Sequence, residues 1–179
     1  MGRDKALLPF RGKPMVEIAV SALAPVCEHV SIAGNRDDLA MFATVVHESR
    51  SGEGPVAGIE AGLQRSNSQW AMFIPVDVPL LTPLFLRTWA ASVLARPATR
   101  ASYVSRGAEP HAALCLLRTD CLGEVSQSIE GGERRVQDVL KGLDGLWIAD
   151  VAEFADQVES RRCLTNINTR DDLALAEKT

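Results

Sequence analysis

The stretch "WAMFIPVDVPLL", Trp70–Leu81, decides how this chain is read. Its first seven residues are almost wholly apolar, which suits a strand buried on both faces of a parallel sheet. Pro75 has no N–H to give to a ladder, so it belongs near the strand's end, where the chain leaves the sheet. Asp77 stands directly after that strand. A carboxylate there either holds a hard cation such as Mg²⁺ against substrate phosphates or caps the turn beside Pro79.

Working outward, helical and strand patterns alternate. Ahead of the central stretch, Lys13-Pro14 opens a helix whose buried face is Val16, Ala19, Val20 and Leu23. "HVSIAGN" (29–35) and "ATVVH" (43–47) read as short strands, and "GPVAGIEAGLQRS" (54–66) as a glycine-bounded helix. Beyond it, Leu86, Trp89, Ala90 and Val93 mark one helix face, and Val136, Val139, Leu140 and Leu143 another. "ASYVSR" (101–106) and "HAALCLLR" (111–118) are two more strands, and Thr169 with Asp172 forms a capping box before "DDLALAEK". This alternation predicts an α/β fold with a mostly parallel, doubly wound sheet, and ligands at the carboxyl ends of its strands.

The totals narrow the function. The chain has 179 residues, 46% hydrophobic and 23% charged, which fits a single globular domain over residues 1–179. A net charge of −4 and a pI near 5.4 give no bulk attraction to nucleic acid or an anionic membrane. No apolar run nears the roughly 18 residues of a membrane span, and the charged N-terminus is unlike a signal peptide. A soluble, cytoplasmic protein is expected. Cys27, Cys115, Cys121 and Cys163 lack metal-site spacing and read as reduced core thiols. His29, His47 and His111 show no metal or nucleophile pattern.

The residues able to carry chemistry are individually ambiguous. Lys5, in "MGRDKALLPFRGKP", is either a phosphate-binding point charge or a solvated surface lysine. Gly52, Gly54 and Gly58 allow a close backbone approach or simply open a helix. Arg134 and Arg135 in "GGERRV" suit a phosphate or water, and Asn166 and Asn168 in "TNINT" suit a ligand or a helix cap.

Their order is more telling. "MGRDKALLPFRGKP", "GPVAGI", "PVDVPLL", "GERRV" and "NINTRDDL" together resemble the molybdenum cofactor guanylyltransferases, the MobA family, across nearly the whole chain. The resemblance implies a Rossmann-like, three-layer α/β/α nucleotidyltransferase fold that moves GMP from GTP onto molybdopterin or its molybdenum-loaded form. It implies that Lys5 contacts the GTP phosphates, that Asp77 holds Mg²⁺, and that Gly54, Pro55 and Gly58 lie beside the guanosine. Arg134, Arg135, Asn166 and Asn168 then line the pterin side. A family nucleotide-binding Asn falls near Ala33, with Asn35 as its substitute, and a family Asp corresponds to Glu48. The family's first strand and its L-A-G-G-x-S-x-R phosphate loop have no counterpart after Met1, so a chain lacking its N-terminal strand is expected. A monomer or weak homo-oligomer is expected as well. A cytidylyltransferase of the same superfamily and a non-catalytic nucleotide-binding relative are the alternatives. A sugar transferase would usually show D-x-D where Pro79 stands.

Overall fold

A computed structural model describes residues 4–50, 52–154, 160–167 and 169–177. Two short strands, β1 (Pro9–Phe10) and β2 (Lys13–Pro14), form a small antiparallel ladder, and helix α1 (Met15–Leu23) follows at once. Strands β3 (Ser31–Ala33) and β4 (Thr44–Val46) pair in parallel, and helix α2 (Pro55–Arg65) returns the chain to β5 (Trp70–Phe73). After α3 (Pro83–Leu94) come β6 (Ala101–Arg106), β7 (Glu109–Arg118), α4 (Leu122–Glu130), α5 (Val136–Lys141) and β8 (Leu146–Asp150). Two helices, α6 (Ser160–Cys163) and α7 (Arg170–Glu177), close the described chain.

The expected alternation is therefore present, but the sheet is mixed rather than mostly parallel. Its order is β5-β7-β6-β8, with β7 antiparallel to both of its neighbours and β6 parallel to β8. The cause is local. Only Gly107 and Ala108 separate β6 from β7, and Gly107 takes a positive φ of 56°. So short a link can only join antiparallel neighbours, because a parallel crossover needs a dozen or more residues. The strand that follows is inserted between two parallel ones.

Alternation along the strands builds the three layers. Trp70 and Met72 of β5, Val104 of β6, and Leu114 and Leu116 of β7 meet α1 and α3 on one face. Ala71, Phe73, Ala101, Tyr103, Cys115 and Leu117 meet α2, α4 and α5 on the other. Thr82 caps α3 by accepting a hydrogen bond from the Phe85 N–H at 3.2 Å, with Pro83 in the first turn. That helix then buries Phe85, Leu86, Trp89 and Val93, and the Trp89 indole donates to Ser102 Oγ at 3.1 Å. Burying each such side chain favours the fold by about 1.5–3 kcal/mol. The Thr169–Asp172 capping box forms as read. Each side chain accepts from the other's backbone N–H, at 2.7 and 3.0 Å.

Between β3 and β5 the sheet is interrupted. Neither strand has a ladder partner on the facing edge among the described residues. Two cavities, of about 440 and 680 Å³, open along this seam, and both are lined by Ser31 and Ala33 from one side and Met72 and Phe73 from the other. The chain does leave the sheet just before Pro75, as its missing N–H requires. All four residues of β5 remain only partly buried, because their edge faces the seam.

Candidate active site

The parallel members β5, β6 and β8 end on one rim, and the residues singled out in the sequence gather beside it. Asp77 follows β5 and is 20% exposed. Lys5 Nζ donates to its Oδ2 at 3.0 Å, closing a contact across 72 residues of chain. The carbonyl of Asp77 accepts the Ile167 N–H at 2.8 Å. That bond draws the "TNINT" segment to the same turn and leaves Asn166 exposed beside it. Asn168 lies outside the described residues.

A second group forms at the ends of β3 and β4. Because these strands are parallel, Asn35 and Glu48 emerge together, and Asn35 Oδ1 accepts the Glu48 N–H at 3.2 Å. The Glu48 carboxylate lies against α2 where Gly58 removes the obstacle. A Cβ at Gly58 would stand 3.2 Å from Glu48 Oε1 and 3.4 Å from the Ala33 Cβ. Gly54 enters that helix with φ 73°, a conformation suited to glycine, and Pro55 follows in the first turn. The 440 Å³ cavity joins the two groups, with Glu48, Pro55 and Gly58 on one wall and Pro75 and Val76, next to Asp77, on the other.

Arg134 and Arg135 go elsewhere. Arg134 forms an ion pair with Glu53 of the glycine loop, and its Nη1 donates to the carbonyls of Ile129 at 2.8 Å and Glu133 at 3.0 Å. It braces the loop before Gly54. Arg135 is exposed at the start of α5. The Glu133 carboxylate accepts the backbone N–H groups of Arg135 and Arg134, and these bonds hold it below the usual carboxylate range.

Two arginines were missed by sequence reading. Arg36, directly after Asn35, lines the cavity and bridges Asp4 and Asp38. Hydrogen bonds from its guanidinium hold both carboxyls below their ordinary range. Arg50 pairs with the buried Glu60 at 2.9 Å and with Glu130 at 2.8 Å, and Ser126 Oγ donates to Glu60 at 2.6 Å. The four-residue spacing of buried α2 positions that placed Glu60 inward could have flagged the need for a cation. Nothing in the sequence marks Arg50 as that cation.

Among the described residues no three metal-binding side chains cluster. Mg²⁺ is commonly held by one or two carboxylates together with substrate phosphates. One Asp at a strand end beside a cavity fits that mode.

This arrangement sets a lysine ammonium and a carboxylate able to hold a cation side by side at the edge of a cavity, groups suited to a polyphosphate. The comparisons agree in kind. The chain is 30% identical over 181 residues to the molybdenum cofactor guanylyltransferase of Ectopseudomonas mendocina (98% of this chain, 84% of that one). It is 28% identical over 176 residues to that of Serratia proteamaculans (96% and 84%). The crystal structure of the molybdopterin-guanine dinucleotide biosynthesis protein A of Archaeoglobus fulgidus superposes with a TM-score of 0.76 at 21% identity, over 99% of this chain and 90% of that one, a likeness of fold. Residues 1–146 match the MobA-like NTP transferase domain, and the chain belongs to that family of nucleotidyltransferases.

Proposed function

We propose that this protein transfers GMP from GTP to molybdopterin or its molybdenum-loaded form and releases pyrophosphate. The observation that carries the reading is the Lys5–Asp77 pair beside the cavity edged by Glu48, Pro55 and Gly58. A phosphate oxygen of the acceptor attacks the α-phosphorus of GTP, and the bond to the β-phosphate breaks. Negative charge grows on the departing pyrophosphate, where the Lys5 ammonium offsets it. Asp77 would hold Mg²⁺, which supplies further charge neutralisation at the phosphates. Asn35, Glu48, Gly54, Pro55 and Gly58 bind the nucleotide. Asn166 and Asn168 serve the pterin side, and Arg134 braces the loop before Gly54. Positioning and charge do most of the work, because little covalent chemistry falls to the protein.

The seam supports a second part of this reading. A parallel strand laid between β3 and β5 would join the two sheets, and the turn after it would lie beside Lys5 and Asp77. Backbone N–H groups in such a turn would cradle the triphosphate. The test is a GTP-consumption assay with molybdopterin and Mg²⁺, run on this chain and on one extended ahead of Met1 by roughly 15 to 20 residues, about one strand plus a loop. The extended chain should turn over GTP and bind it more tightly than CTP. Equal or tighter binding of CTP would transfer the assignment to the cytidylyl branch.

A further inference from the structure

One corner of the rim plays no part in the reading above. The register of β6 on β7 sets Arg106 opposite Glu109 and Val104 opposite His111. Side chains alternate along a strand, so Arg106, Glu109 and His111 share one face, the one on which Val104 meets α1 and α3. Arg106 and His111 are then diagonal neighbours, about 7–8 Å apart.

Both lack hydrogen-bond partners where they are buried. Nε and Nη2 of Arg106 and Nε2 of His111 are inaccessible to solvent and make no hydrogen bond. The His111 side chain is only 8% exposed. The Glu109 carboxylate stands 3.9 Å from Arg106 Nη1 and 3.8 Å from His111 Nε2, beyond hydrogen-bonding range of either. Cys163 lies near the Arg106 charge. Buried polar groups in native folds are satisfied as a rule, so three such nitrogens at one corner require an explanation. The Arg106 side chain as a whole is 37% exposed, so it can turn at the rim and present its Nε–Nη2 edge, the planar fork that takes two oxygens of one carboxylate or phosphate. An N–H at His111 Nε2 adds a third donor.

We propose that Arg106 and His111 form an anion subsite that holds a phosphate group of the acceptor substrate. Arg106 binds through its Nε–Nη2 edge and His111 through Nε2. The position suits the role. Ala113, two residues along β7 from His111, lines the cavity with Pro75 and Val76, so the strand that carries the subsite also borders the cavity. Since β7 and β3 flank opposite edges of β5, the anion sits across Asp77 from Asn35 and Glu48. One substrate approaches from each side. Naming the anion as the acceptor's rests on the guanylyltransferase reading; the anion site itself does not.

The probe is inorganic phosphate, titrated into the full chain while the His111 ring resonances are followed by NMR. Saturable shifts are expected, and Arg106→Gln should weaken binding at least tenfold. Arg106→Lys keeps the charge without the fork and should weaken it nearly as much. Glu109→Gln removes a competing carboxylate and should tighten it several-fold, a change of sign that a structural role would not produce. Melting temperatures within a few degrees of the parent show that the variants fold. Undiminished phosphate binding in Arg106→Gln, an unmoved His111 ring at saturation, or weaker binding in Glu109→Gln would overturn the subsite. In turnover, Arg106→Gln should raise KM for molybdopterin and leave GTP affinity unchanged, and an unchanged KM would overturn its assignment to the acceptor. Absence of GTP turnover even in the extended chain would count against the guanylyltransferase reading alone, because the phosphate titration needs no turnover.

Discussion

The sheet made by β5, β7, β6 and β8 and the pair made by β3 and β4 differ in length, burial and coverage. Five of the six residues of β6 are buried, and both faces of that sheet carry helices. The outer pair has three residues per strand, each at least partly exposed. Yet both border the same cavity, Pro75 and Val76 beside Asp77 from the first and Ala33 and Glu48 from the second. The difference teaches that the well-buried sheet anchors the turn that carries Asp77, while the thinner, more exposed pair supplies the facing wall of the cavity.

The sharpest break comes from Asp77→Asn. Loss of a unit charge about 4 Å from a cation forfeits roughly 4 kcal/mol at an effective dielectric near 20, close to a thousandfold in turnover. The melting temperature should hardly move, because the residue stands at the rim. Near-normal activity in a kinetic assay would remove Asp77 from the metal role.

The contrast in packing is tested by truncating one residue on each side. Leu114 of β7, 1% exposed and clustered with the buried face of α3, should cost about 2–5 kcal/mol as Leu114→Ala. Val45, half-buried in β4, should cost only about 1 kcal/mol as Val45→Ala. Similar losses in denaturant melts would mean that the two regions are equally well packed.

Lys5→Ala removes one charged donor and should lower kcat on the order of 10²-fold. If KM alone rises, Lys5 binds the ground state instead.

The smallest effect concerns pH. Burial lowers the pKa of His111 from its ordinary value of 6.5, Arg106 lowers it further, and Glu109 opposes both. The unfolded imidazole takes a proton below about 6.5 while the folded one resists. Stability should therefore fall as pH drops through and below that value, and rise again above it. His111→Gln should flatten this part of a stability–pH profile measured without phosphate, and an unaltered slope would exclude His111 as its source.

Much of this was legible in the chain. The strand at Trp70 and the break before Pro75 followed from apolar content and a missing N–H. The capping box at Thr169 followed from two side chains three residues apart. Such features depend on neighbours in sequence, and the structure reproduces them. The mixed sheet was harder to see, because both strands around Gly107 read correctly while their relative direction depends on how short the link between them is. Among site residues, Lys5 and Asp77 form an ion pair with each other, a contact that no spacing along the chain announces. Arg134 likewise turned to Glu53, a partner 81 residues away in the chain.

Composition, periodicity and motif order by themselves determined the α/β class, the family and the place of Asp77 at a strand end, because those depend on local propensity and on patterns carried in one dimension. Only the tertiary structure decided the rest. The seam between β3 and β5, the burial of Glu60 with Arg50, and the orphaned nitrogens of Arg106 and His111 arise from which elements pack together. Whether a polar group finds an acceptor is settled by the three-dimensional surroundings of its atoms, and no spacing along the chain encodes that.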